Sequence, residues 1–405
     1  MSNRSQSTAG TATSGQVSSS RVSSGHVIVV GAGIVGGACA WQLTRRGFDV
    51  TVVESERPGG GATAACMGHV VVMDDSEAQF ALGRFSQNLW DELAERLPGS
   101  VERDPCGTLW VAEDDEEMAA VHTKHAFYQE RGVHSEILDQ QSLRQVEPEL
   151  QHGLLGALRV PGDSVVYPPS AVEWMLDEAR RLAEETSRSF ELRVGVGVAK
   201  AFDQGVELND GQRLSADFVV LSSGSTALDL LPTPLPGHAI RPRKGHLVIT
   251  DRRPGFCRHQ LVELGYLKSA HSAGDSSVAF NLQPRATGQM LLGSSRQFGR
   301  TDAEVEMPMI QRMVDRGRHF LPRLGELRAV RMWAGFRPAT DDHLPLIGPV
   351  PEHPSLILAA GHEGLGITTS LGTAFLVAEH LTGAQSSIDP TPYLPSRAGS
   401  GEAHA

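Results

Sequence analysis

Hydrophobic residues in this chain gather in short continuous runs and in longer runs with a helical repeat, and the two kinds alternate. His26 to Val30 is a β-branched run of strand length, which reads as a buried strand. Ile34 to Arg46 follows as a helix, and Gly47 supplies a natural stop. Val50 to Val53 is a second buried strand closed by Glu54, so the three elements form a βαβ unit. Glu77 to Arg96 places Phe80, Phe85, Leu89, Trp90 and Leu93 at helical spacing. Asp115 to Arg131 reads as another helix, and the pair Pro168-Pro169 starts a further one that runs through Arg181. Phe190 to Val198 and Val206 to Leu208 read as strands, with Asn209-Asp210-Gly211 as a hairpin turn. Phe218 to Leu221 is a buried strand running into Ser222-Ser223-Gly224. His246 to Thr250, Ala279 to Leu282 and Met290 to Gly293 predict strands of a separate antiparallel sheet, the last two turned at Ala286 to Gly288. Leu356 to Ala360 is a final buried strand. A helix is predicted from Thr368 to Leu381, ended by Gly383.

This order predicts an α/β fold, in which a Rossmann-like nucleotide-binding domain is interrupted by an α+β substrate domain with an antiparallel sheet. The interrupted domain is expected over 26–82, 158–226 and 333–385, and the substrate domain over 83–157 and 227–332. Residues 1–25 are rich in Ser, Thr, Gly and Gln and read as a disordered tail, with 396–405 as a second, short flexible tail.

Net charge narrows the partners. At −12, it argues against nucleic acid as the main partner, because phosphate binding selects a basic surface, though a local basic patch stays open. No window approaches the ~20 apolar residues of a membrane helix. Four cysteines, Cys39, Cys66, Cys106 and Cys257, show no CxxC spacing and read as reduced thiols, with no metal site. A cytoplasmic protein is expected, with peripheral membrane association left open.

The sharpest local signal is Gly31-x-Gly33-x-x-Gly36, set between a strand and a helix. The first glycine permits the turn, the second admits a pyrophosphate against backbone, and the third lets helix and strand pack closely. The helix N-terminus then offers free N–H groups to the phosphates. Glu54 ends the next strand about 20 residues on, where a carboxylate binds the ribose hydroxyls and repels a 2′-phosphate. The small-residue run Gly59 to Ala65 can lie against a cofactor. The motif alone leaves FAD and NAD both open.

The C-terminal third separates them. It reads Gly335-Phe-Arg337-Pro338-Ala-Thr340-Asp341-Asp342, then Gly361-His362-Glu363-Gly364-Leu365-Gly366 before a helix. With the glycine fingerprint, this resembles the D-amino-acid oxidase superfamily of flavoproteins, over about His26 to Gly383. The resemblance implies oxidation of a small amino or imino acid, of the D-amino acid or hydroxyproline type, by hydride transfer to FAD. It implies that Arg337 pairs with the substrate carboxylate, as a guanidinium fork suits. The FAD-binding residues it implies are Gly31, Gly33, Ile34, Val35, Gly36, Glu54, Ala62, Thr63, Gly68, Val198, Gly224, Gly335, Gly361, Gly364, Leu365, Gly366 and Thr368.

The chain also departs from relatives within that superfamily. Gly364 stands where glycine oxidases carry an arginine. No cysteine lies within Trp333 to Asp342, so FAD is expected to be non-covalent. The family's substrate-sheet tyrosine has no clear match, and His69, Tyr266 and Phe280 are the candidate pocket residues. The electron acceptor stays open between a quinone, a carrier protein and oxygen. An oxygen-using glycine or sarcosine oxidase and an FAD-bearing subunit of a larger dehydrogenase remain as alternatives.

Overall fold

The computed structural model describes residues 24–265 and 276–397. Tyr266 and most of both predicted tails lie outside the described residues.

A six-stranded sheet forms one layer. Its order is Leu346–Val350, His353–Ala360, Phe218–Leu221, His26–Val30, Asp49–Glu54 and Phe190–Val194. Five of these strands run parallel, and Leu346–Val350 is an antiparallel edge. Both faces are covered, which is why the strands read as continuous apolar runs. Val27, Val29, Val50 and Val52 pack under the helices Ile34–Arg45, Pro168–Glu185 and Gly366–Thr382. Ile28, Val30, Val53 and Val219 face the opposite way, toward a three-stranded sheet of Val198–Phe202, Gly205–Leu208 and Arg213–Ser215. The predicted strand from Phe190 to Val198 is thus two strands, parted at Gly195, which turns with a φ of +76°. The last helix begins at Gly366 rather than Thr368 and ends, as expected, at Gly383 with a φ of +62°.

The second layer is an eight-stranded sheet. Its order is Ala329–Thr340, Ile240–Arg252, Gln289–Gln297, Ser276–Pro284, Gln260–Glu263, Thr108–Ala112, Gly156–Val160 and Glu136–Asp139. All neighbours are antiparallel except Gln260–Glu263 beside Thr108–Ala112. Helix Met307–Phe320 covers one face, where Phe280 stacks on Phe320 with ring centroids 4.5 Å apart. Helix Asp115–Glu130 packs beside Thr108–Ala112 and Gly156–Val160 at the far end.

Three expected domain boundaries shift. The one at 158 falls inside Gly156–Val160, whose ladder ties it on both sides to the eight-stranded sheet. The one at 333 falls inside Ala329–Thr340, which pairs along its length with Ile240–Arg252. The one at 82 cuts the continuous helix Glu77–Glu92, whose Trp90 is fully buried in the core under the parallel sheet. Runs of apolar residues mark where elements exist, but a ladder partner decides which sheet a strand joins.

Candidate active site

The first strand ends in a turn that only glycine makes. Gly31 has a φ of +96°, and its N–H donates to the Val53 carbonyl across the neighbouring strand at 2.8 Å. A Cβ on Gly36 would stand 1.9 Å from the Gly31 carbonyl oxygen, so the helix can pack this closely only without a side chain there. Ser222 Oγ, from the adjacent strand end, donates to the Val30 carbonyl at 2.8 Å and fixes the other side of the turn. Glu54 ends the second strand. Its carboxylate accepts from Ala32 N at 2.7 Å and from Glu56 N at 2.8 Å. Thr63 Oγ1 accepts from Ile34 N at 3.0 Å and so ties the small-residue loop to the helix start.

From this turn a cavity of about 620 Å³ runs between the two layers to Arg337. Gly31, Gly33, Ile34, Val35, Glu54, Ala62, Thr63, Gly68, Val198 and Gly224 line it, with Gly335, Gly361, Gly364 and Gly366 further along. His69 and Arg337 line it too. Four expected residues do not. Gly36 sits behind the turn as a packing glycine. Leu365 packs into a hydrophobic cluster with Trp110 and Tyr128. Thr368 is buried and acts as a clip: its Oγ1 donates to the His69 carbonyl at 3.0 Å and accepts from Val71 N at 3.1 Å. Phe280 points to the opposite face of its strand, onto Phe320. Its neighbour Asn281 lines the cavity instead, as strand alternation requires.

Arg337 lies on the outer strand of the eight-stranded sheet and reaches inward across the next strand. Its Nη1 donates to the Ser295 carbonyl, on the third strand, at 3.1 Å. The guanidinium passes over Gly245, where a Cβ would come within 2.2 Å of Nη1. Nearby, Trp333 Nε1 donates to the Ala65 carbonyl at 3.3 Å, and a Cβ on Gly335 would meet that of Ala65 at 2.4 Å. The small-residue loop and the Arg337 strand are therefore in close contact. Met67, Leu247, Ser294 and Glu363 complete this end. Sequence reading had not placed Met67, Leu247 or Ser294 in the site, and had Glu363 only as part of the Gly361 to Gly366 loop.

The loop from Gly361 to Gly366 is held by two devices. His362 Nε2 pairs with Thr373 Oγ1 at 2.9 Å in a buried setting, and burial pushes the ring down to about 3. His362 thus holds its loop as a neutral ring. Burial opposes ionisation of Glu363, but His343 and Arg243 outweigh it and hold this carboxyl at about 2. Glu363 is ion-paired to Arg243, and its other oxygen lies 2.8 Å from His343 Nδ1. Burial also pushes the His69 ring down to about 4, against a smaller upward pull from Gln283, and raises the Cys66 thiol to about 11. Cys66 is thus a protonated, packing thiol at neutral pH. Among the described residues, no three His, Cys, Asp or Glu side chains gather as a metal-holding group. No helix among them is long and apolar enough to cross a membrane.

A family model described as FAD dependent oxidoreductase, DAO, matches residues 26–380. The chain is 29% identical to the glycine oxidase of Pseudomonas putida over 376 residues, covering 91% of this chain and 98% of that one. It is 26% identical to the hydrogen cyanide synthase subunit HcnC of Pseudomonas aeruginosa over 423 residues, covering 92% of this chain and 95% of that one. The fold matches the crystal structure of glycine oxidase from Geobacillus kaustophilus with a TM-score of 0.81 at 24% identity, covering 93% of this chain and 99% of that one. The cavity fits the family's cofactor. It pairs a helix N-terminus free of acidic residues with a carboxylate at the second strand's end, and glycines recur along its walls. With a fold, a cavity and a sequence that all agree, this chain belongs to the DAO family of FAD-dependent oxidoreductases.

Proposed function

We propose that this protein oxidises a small amino or imino acid at the carbon that bears nitrogen, using non-covalently held FAD. Bound FAD supplies a hydride acceptor at N5. The observation that carries the reading is the Arg337 guanidinium, laid over Gly245 into the same cavity as the dinucleotide turn. A carboxylate on that fork would be held by two parallel hydrogen bonds, leaving the adjacent C–H free to point at the cofactor. The chain's contribution is then positioning and water exclusion. Burial keeps the His69 ring neutral and the Cys66 thiol protonated at neutral pH. Ile34 and Val35 at the helix start, Glu54, and the Gly361 to Gly366 loop would hold the cofactor's phosphates, ribose and ring edge. The imine product would leave and hydrolyse in water. Electrons pass on to a quinone, a carrier protein or oxygen, and the relative named as a synthase subunit favours a partner chain among these. Four cysteines with no disulfide support a reducing, cytoplasmic setting.

The test is anaerobic bleaching of the flavin bands on adding D-proline, hydroxyproline isomers, D-alanine, glycine or sarcosine. One of these should bleach the protein. Arg337→Ala should retain FAD while raising KM for that substrate at least about 100-fold, as loss of a charged, bidentate contact implies. A flavin-loaded protein that none of the panel reduces, or an Arg337→Ala variant with unchanged kinetics, would defeat the reading.

A further inference from the structure

The substrate end of the cavity carries a buried polar atom without a hydrogen-bond partner, and a second, weakly satisfied one beside it. Asn281 is 7% exposed, lines the cavity, and has a buried Oδ1 with no hydrogen-bond partner. His69 lines it as well; its Nε2 is buried with no partner at good hydrogen-bond geometry, and within the protein Gln283 is the side chain that acts on the ring. Buried polar atoms are paired in the great majority of cases, and leaving one unpaired costs about 1–3 kcal/mol. The Asn281 Oδ1, facing the cavity beside His69, therefore points to a ligand group that pairs with it.

The sheet acts as a ruler for where that group lies. Arg337 Nη1 sits at the Ser295 carbonyl. Asn281 stands on the next strand and pairs with Gly293, two residues before Ser295. One strand spacing and two residues of rise put the two sites on the order of 8 Å apart. Met67 and His69 roof the same corner. The Met67 carbonyl accepts from Gln283 Nε2 at 2.7 Å, and a Cβ on Gly293 would be 2.9 Å from Met67 Sδ. A carboxylate on Arg337 thus leaves room for only a short side chain before Asn281 and His69 are met.

The chemistry of the pair selects the group. A carboxamide and an uncharged imidazole each offer both a donor and an acceptor. Burial keeps the His69 ring uncharged at neutral pH. Neither residue therefore balances a second carboxylate, and a hydrocarbon would leave Asn281 Oδ1 unpaired. A group that itself donates and accepts, and carries no charge, meets both demands.

Resting on the amino- or imino-acid reading above, we propose that Asn281 and His69 form a subsite for an uncharged hydrogen-bonding group on the substrate's side chain, a hydroxyl or carboxamide. They thereby determine which amino or imino acid is taken. Sites built to hydrogen-bond a substrate group reject analogues lacking it by large factors, up to about 10⁴.

Matched pairs test this in the full-length, FAD-loaded protein: serine against alanine, asparagine against 2-aminobutyrate, and 4-hydroxyproline against proline, each in both stereochemical series. Anaerobic flavin reduction gives kcat/KM for each member. In at least one pair the polar member should be preferred by about 100-fold or more. In Asn281→Leu, which keeps volume and removes the polar atoms, that ratio should collapse to within about 3-fold, the flavin spectrum showing that cofactor is retained. Asn281→Ala replaces it if the leucine variant does not hold flavin. Equal rates within every oxidised pair, or a preference that survives both substitutions, would overturn the subsite and leave the amino-acid reading standing. A protein that reduces its flavin with no member of any pair, and with no other amino or imino acid, would instead strike at the reading beneath it.

Discussion

Arg337 reaches the cavity only because residue 245 has no side chain. In Gly245→Ala the new Cβ would stand 2.2 Å from Nη1 and 2.9 Å from the Ser295 carbonyl that now accepts from it. The guanidinium must move, so KM for the carboxylate substrate should rise at least about tenfold, the loss of one charged hydrogen bond. Flavin content should not change, because no cofactor-turn residue is touched; stopped-flow reduction with the flavin spectrum as control measures both. His362 carries a pH prediction. Its ring is neutral in the fold down to about 3, against 6.5 for an unhindered imidazole. Below pH 6.5 the unfolded chain takes up a proton that the folded one refuses, so this residue removes stability as pH falls from 6.5 toward 3. Thermal midpoints of His362→Gln should therefore fall less steeply over pH 6.5 to 4 than those of the parent. At this scale the sequence was legible where a turn demands one residue type, as at Gly31 with its φ of +96°. It was misread at Phe280, because an aromatic drew attention from Asn281 beside it, and one step along a strand reverses the face.

Elements with a period or a cap were legible in advance. The βαβ unit, the last helix and the Asn209-Gly211 turn fall where apolar spacing and glycines put them. The eight-stranded sheet was not: three of its strands were foreseen, and those three were drawn short. Ile240–Arg252 contains Pro242, Lys244 and His246, which break any apolar run, yet Lys244 is fully buried, with Nζ 2.8 Å from Asp302 and 3.2 Å from Glu306. Partners distant in sequence make those polar residues tolerable inside a sheet, and a single chain segment gives no sign of them. The first helix yields a prediction at this scale. Gly36→Ala would put a Cβ 1.9 Å from the Gly31 carbonyl and 2.7 Å from Ser222 Oγ. Helix and strand must separate there, so FAD affinity should fall by at least about 100-fold, with a stability loss of roughly 1–3 kcal/mol from overpacking. Equilibrium dialysis with FAD and a denaturant titration would report the two effects separately.

Across the whole molecule, the cavity lies between the two sheets and draws its walls from distant stretches of chain: the first turn, the loop after Glu54, the strand end at Ser222, and the segments around Arg337 and Gly361. Cofactor binding to the folded form alone should add about 2.7 kcal/mol when free FAD exceeds Kd 100-fold, visible as a rise in thermal midpoint with FAD concentration. A midpoint indifferent to FAD would mean that the cofactor does not bridge these segments. The same layout has a consequence for how the protein is made. Chains leave the ribosome from the N-terminus, and domains generally fold as units in that order. When the phosphate turn at Gly31 has emerged, the guanidinium and the closing glycine loop, more than 300 residues later, do not yet exist. Holoenzyme formation must therefore follow release of most of the chain. In a cell starved of riboflavin the finished polypeptide would accumulate without the stability that bound cofactor adds, and more of it would be unfolded and open to proteases.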